Sequence, residues 1–138
     1  MHGVSGKMIL GAIAAGLLYA AGTITALLAG FELIVALMLL GGAGKAALLH
    51  APDEPLRNAF IGGCLVALTA VWTQGIFLDA YFAANPAYRG EEVAFGLGPR
   101  SWTFLMAPLG ALAAGVISLS TAALVRTLRK GFRKRRHG

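Results

Sequence analysis

Apolar residues run almost unbroken from Met8 to Gly44. Lys7 and Lys45 bracket 37 residues that carry one charge, Glu32. About 20 apolar residues in a helix cross a hydrocarbon core about 30 Å thick, so this run is too long for one upright span. Two readings fit it. In the first, residues 8–28 and 33–49 are two spans joined by a tight turn over Ala29, Gly30, Phe31 and Glu32. In the second, one long tilted helix runs from Met8 to about Leu40. A helix of 37 residues is about 55 Å long, so that reading demands a steep tilt or a protruding apolar end.

The rest of the chain shows the same pattern. A second apolar block covers 57–82 and a third covers 102–125. The connections hold Pro52 and Pro55, then Pro86 and Pro99. Proline lacks a backbone donor and so punctuates helices at such places. The predicted fold is an all-α polytopic transmembrane bundle, a single integral membrane domain over 1–138 with spans near 8–28, 33–49, 57–82 and 102–125 and a basic tail at 126–138. The three-span alternative keeps the long tilted first helix.

Charge distribution favours four spans. Basic residues gather on the cytoplasmic side of membrane proteins. Four spans put ten Lys and Arg on one side and two on the other, whereas three spans divide them nine to three. The expected place is therefore a bacterial-type inner membrane, crossed several times, with both termini cytoplasmic. The loop 83–100 has two acids and two bases. Phe77, Tyr81, Phe82, Tyr88, Phe95, Trp102 and Phe104 lie in or beside it, as an interfacial aromatic belt on the outer face would require.

Composition agrees. The chain is 57% hydrophobic and 13% charged, where soluble domains carry about a quarter charged residues. Lys7 followed by an apolar stretch resembles the start of a signal peptide, but the run does not stop after about 7–15 residues, so it reads as a span. A single cysteine, Cys64, stands in an apolar run and reads as a small core residue.

Lipid gives helices no hydrophobic reason to associate, so small residues that let backbones approach carry the packing. Gly110, Ala114, Ser118 and Ala122 stand four apart in the last span. The first span has Ala12, Gly16 and Ala20, with Gly22, Ala26 and Gly30 on a neighbouring stripe. Pro108 predicts a kink early in the last helix.

Ionisable groups inside a span are expensive and are the first places to look for function. Glu32 is an ion or proton site if buried, and a solvated residue if it sits at the hairpin turn, the reading favoured here. Asp79 lies near the outer end of its span, where it caps that end or lines an ion entry. Gln74 with Thr69 and Thr73 forms a polar patch suited to interhelical hydrogen bonds. The histidines, His2, His50 and His137, do not have ligand spacing, so no metal, haem or other cofactor is expected. No nucleophile, base and acid come together into a catalytic set. Gly41 to Lys45 lacks the spacing of a phosphate loop. The tail concentrates Arg126, Arg129, Lys130, Arg133, Lys134, Arg135 and Arg136 directly after a span. That placement suits anionic lipid headgroups, worth about 1 kcal/mol per basic residue, and nucleic acid is not expected as a partner.

The stretch Val93 to Phe104 (VAFGLGPRSWTF), followed by a helix rich in small residues and a basic end, resembles part of the small membrane subunit of tripartite tricarboxylate transporters. It departs from that pattern by lacking a proline within Ser101–Phe104 and by standing at the end of this sequence, where the family has further helices. The resemblance covers about a quarter of the chain and implies a four-helix protein without catalytic residues.

The leading expectation is a non-catalytic accessory or anchoring subunit of a larger membrane complex, in contact with other membrane subunits or copies of itself. The alternative is a small oligomeric transporter or channel component, like that transporter subunit, using Glu32 and Asp79. A membrane enzyme ranks last.

Overall fold

A computed structural model describes residues 6–86, 96 and 98–137, with side chains as far as Lys134. Five helices follow one another: α1 (Gly6–Ile24), α2 (Glu32–His50), α3 (Pro55–Ile76), α4 (Leu78–Ala84) and α5 (Pro99–His137). No strand occurs among the described residues. α1, α2, α3 and α5 are each long and apolar enough to cross a membrane. The expected all-α bundle with four membrane-length helices is the fold.

The long apolar run folds as a hairpin. α1 stops at Ile24, short of residue 28, because the chain turns back on itself there. Leu28 N–H donates to the Gly22 carbonyl at 3.1 Å. Its side chain lies where a Gly22 Cβ would stand, 2.6 Å from Leu28 Cδ1. Ala26 (φ 59°) and Gly30 (φ 83°) adopt the left-handed conformation, which glycine accepts freely and alanine only at a cost. The turn therefore spans Thr25–Phe31, wider than the four residues expected. Gly22, Ala26 and Gly30 serve this turn and do not form a stripe along a helix.

Two other boundaries shift. α3 opens on Pro55, which is suited to a first helical position, and closes at Ile76, where Phe77 N–H caps Thr73 O at 3.1 Å. The block 57–82 is thus one long helix and the short α4. α5 begins at Pro99, passes through Pro108, and continues beyond Val125 to His137. Arg, Lys and Leu are good helix formers. Charge after Val125 ends the apolar stretch without ending the helix.

α3 lies at the centre, packed most extensively on α5 and then on α1 and α2, while α1 and α2 touch each other sparsely. The core is built of small residues. Ala12, Ala20, Ala47, Ala59, Ala70, Ala107, Ala111, Ala114 and Ala122 are buried, whereas Leu10, Leu18, Leu27, Leu33, Met38 and Leu109 face outward. This inverts a soluble core, as expected where lipid covers large side chains and packing needs small ones. A Cβ at Gly63 of α3 would lie 2.7 Å from the Ala114 carbonyl, and one at Gly44 of α2 would lie 2.5 Å from the Ser118 carbonyl. Both backbones reach α5 directly, and only glycine permits that distance.

The α5 face that makes these contacts runs through Ala107, Ala111, Ala114, Ser118 and Ala122. Gly110 lies off it, with nothing within 4 Å of its Cβ position. Successive positions four apart advance 400° around an α-helix, so a strict i, i+4 row winds about 40° per step away from a straight contact. The first-span row Ala12, Gly16 and Ala20 faces inward as a buried set.

Candidate functional site

Polar side chains collect at the end of the bundle away from the basic helix terminus. Thr23, the last but one residue of α1, donates its hydroxyl to Ala20 O at 2.9 Å and accepts Gln74 Nε2 of α3 at 2.7 Å. Asn85, just after α4, donates Nδ2 to Thr23 O at 2.8 Å and to Tyr81 O at 3.0 Å. Arg100, in the first turn of α5, donates Nε to Gly75 O at 3.1 Å and reaches Asp79 Oδ2 at 3.3 Å. Two sets of bonds result: Thr23, Gln74, Asn85 and Tyr81 join α1, α3 and the end of α4, and Arg100 joins α5 to Gly75 of α3 and Asp79 of α4. A cation over the last carbonyls of α3 also suits the negative end of that helix.

The bonds explain why these residues tolerate an apolar setting. Thr23 is 3% exposed and Asn85 8%, and a buried amide or hydroxyl without partners costs about 1–3 kcal/mol. Gln74 makes the interhelical bond expected of its patch. Thr73 bonds within its own helix, to Thr69 O at 2.6 Å. Thr23, Asn85 and Arg100 were not singled out by the sequence, because each gains its role from a partner 25 to 62 residues away.

Glu32 is the first residue of α2 and is half-buried beside the turn. A carboxylate there faces the positive end of the α2 dipole. Its backbone carbonyl accepts the Tyr19 hydroxyl at 3.1 Å, which ties the hairpin together. Asp79 stands in the first turn of α4 with its side chain 96% exposed. The two acids stand at the starts of different helices, and the Asp79 side chain lies in the open. Phe77, Trp102 and Phe104 gather at this same end; Tyr88 and Phe95 lie outside the described residues.

At the opposite end, Asn58 is 2% exposed and donates to Glu54 O at 2.9 Å, while its Oδ1 has no hydrogen-bond partner. Glu54 and Arg57 form an ion pair one turn apart on this rim. Arg126 is half-buried, and Arg129, Lys130, Arg133 and Lys134 are exposed along the end of α5. The helix continues through Arg135 and Arg136, whose side chains lie outside the described set, as does His2. His50 is the last residue of α2. No group of three metal-binding side chains occurs among the described residues. The likeness of Val93–Phe104 to a transporter subunit falls partly outside the described residues, and no known protein family, curated protein or solved structure matches the chain.

Proposed function

We propose that this chain is a non-catalytic subunit of a larger membrane complex, which it helps anchor or assemble. The observation that carries this reading is α5. Its 39 residues make a helix about 58 Å long, against a hydrocarbon core of about 30 Å. The excess is the basic end. Arg129, Lys130 and Arg133 share one side of it, and Leu124, Leu128 and Phe132 recur every four residues on the other, all exposed. A continuous amphipathic arm rising from a membrane helix offers a partner both charge and an apolar ridge. The bundle beneath it uses buried Thr23, Asn85 and Ser118 in bonds that tie one helix to another, as a scaffold does.

The reading places the protein in a bacterial-type inner membrane with both ends in the cytoplasm, from the excess of Lys and Arg on the side of the α5 arm. Its partners are other membrane subunits, alone or together with further copies of itself, with anionic headgroups around the arm and no nucleic acid. A small transporter or channel component is less well supported. Glu32 and Asp79 sit at helix ends instead of along a path through the bundle.

Purification of the tagged protein from its native membrane in mild detergent, followed by identification of the chains that come with it, tests the reading. A second membrane protein in fixed ratio is the expected result. A stable homo-oligomer with no other chain overturns it.

A further inference from the structure

Towards the basic end, α1, α2 and α3 line a cleft of about 380 Å³, within the size range of small-ligand sites. Its lining mixes small and large apolar residues: Gly11 on α1 and Gly42 and Ala43 on α2 stand beside Met8, Met38 and Leu39, with Val66 from α3. Two of its lining residues are not apolar or small, Lys7 and His50. Both stand at the mouth, one opening α1 and the other closing α2. The cleft follows α1 from Lys7 to Ala15, about 12 Å of helix axis. One leaflet of the hydrocarbon core is about 15 Å deep.

We propose that this cleft is a binding site for an anionic phospholipid of the leaflet on the basic side, with one acyl chain in the slot and the phosphate at Lys7 and His50. The depth, the apolar interior and the cationic mouth match the three parts of such a molecule in order. A polar solute would find no hydrogen-bond partners along the apolar walls. A transmembrane helix of another protein, about 10 Å across with its side chains, would need both leaflets and no charge at the mouth. Gly11, Gly42 and Ala43 leave, between the larger side chains, the space that a flexible chain needs.

Gly42 allows a direct test, because nothing lies within 4 Å of its Cβ position. A side chain can therefore start from Gly42 without a clash at Cβ, and Gly42→Leu is the variant expected to extend into the slot. The probes are phosphatidylglycerol and phosphatidylcholine of identical acyl chains, added to the detergent-solubilised full chain and read as retained adducts by native mass spectrometry. The wild type is expected to retain phosphatidylglycerol preferentially. Lys7→Ala is expected to cut that preference about fivefold, the worth of one basic side chain near anionic lipid. Gly42→Leu is expected to abolish the adduct while the melting temperature stays at the wild-type value. A variant with Arg129, Lys130, Arg133 and Lys134 changed to Gln controls for the α5 arm and is expected to keep one tightly held lipid. Equal retention of the two lipids, or an adduct that survives Gly42→Leu and disappears with the arm charges, overturns the proposal.

Discussion

The Ser118 hydroxyl of α5 donates to the Leu40 carbonyl of α2 at 2.8 Å, and its Cβ lies over the bare backbone of Gly63 in α3. Ser118 is completely buried, so one small side chain links three helices. Interhelical hydrogen bonds in membranes average about 0.6 kcal/mol and reach about 1.7. Ser118→Ala is expected to cost within that range. Ser118→Leu drives a branched side chain into Gly63 and Gly44, and overpacking of this kind costs about 1–3 kcal/mol or more. Unfolding of the two variants in a mild detergent measures the difference. Equal losses would mean that the hydroxyl, and not the close approach, holds the node.

Hydropathy and charge were enough to read the bundle. Glu32 interrupts an apolar run twice as long as a comfortable span, and the distribution of Lys and Arg chose the hairpin; the chain indeed turns before Glu32. Local geometry was less legible. Nothing in the sequence marks Phe77 as a break, and the Arg100 side chain that bonds Gly75 O beside it comes from α5, 25 residues away. The facing of Gly110 was misleading for a different reason. A row four apart looks straight in sequence but winds around the helix, and the contact stripe keeps Ala114, Ser118 and Ala122 but takes a step of three back to Ala111 in place of Gly110. Hydropathy marks where the apolar stretch ends at Val125 but not where the helix ends, since Arg, Lys and Leu carry α5 on to His137. The Thr23–Gln74–Asn85 network needs the tertiary fold to bring its members together.

Arg100 has two partners of unequal value. Its bond to Asp79 is half in water and the Asp79 side chain is 96% exposed; exposed pairs contribute between about 0 and 1 kcal/mol. Its bond to Gly75 O satisfies a carbonyl at the end of α3, and bonds from charged donors are worth about 1.5–3 kcal/mol. Asp79→Asn is therefore expected to leave stability nearly unchanged, whereas Arg100→Gln, which loses the Nε donor and the charge, is expected to lower it by about 1 kcal/mol or more. Thermal melts of both proteins at low and high salt make the comparison. If Asp79→Asn proved the more damaging of the two, the ion pair would be the main contact and the carbonyl cap secondary.

Glu32 separates a structural subunit from a conductor of ions. Its carboxylate lies at the start of α2, while the Tyr19 hydroxyl binds its backbone carbonyl, a contact that Glu32→Gln does not touch. Glu32→Gln is expected to leave assembly and the melting temperature unchanged. It is also expected to leave ion and proton flux unchanged in vesicles carrying the purified protein. Tyr19→Phe, which removes the hydroxyl, is expected to loosen the hairpin by about 1 kcal/mol. A pH-dependent flux that disappears in Glu32→Gln would restore the transporter reading.

The α5 arm presents its apolar ridge beyond the point where a span has used its length. Leu128 is 52% exposed and Phe132 65% exposed, and Phe132 stands about 10 Å past Val125 along the helix axis. Headgroups extend roughly 5–8 Å beyond the hydrocarbon on each side, so Phe132 reaches past most of that layer. An aromatic ring held there by a rigid helix is an anchor for another protein, since aromatic anchors in a pocket carry much of the affinity of an interface, at about 2 kcal/mol or more each. The double variant Leu128→Ser with Phe132→Ser is expected to fold and insert normally, because neither side chain is packed on the bundle. It is expected to lose its co-purifying partner, while neutralising Arg129 and Arg133 slows association and makes it less sensitive to salt. Co-purification yields for the two sets of variants, read beside their melting temperatures, separate the contributions. If the partner persisted without Leu128 and Phe132 but was lost with the charges, the arm would act through electrostatics alone and the ridge would be a lipid-facing surface.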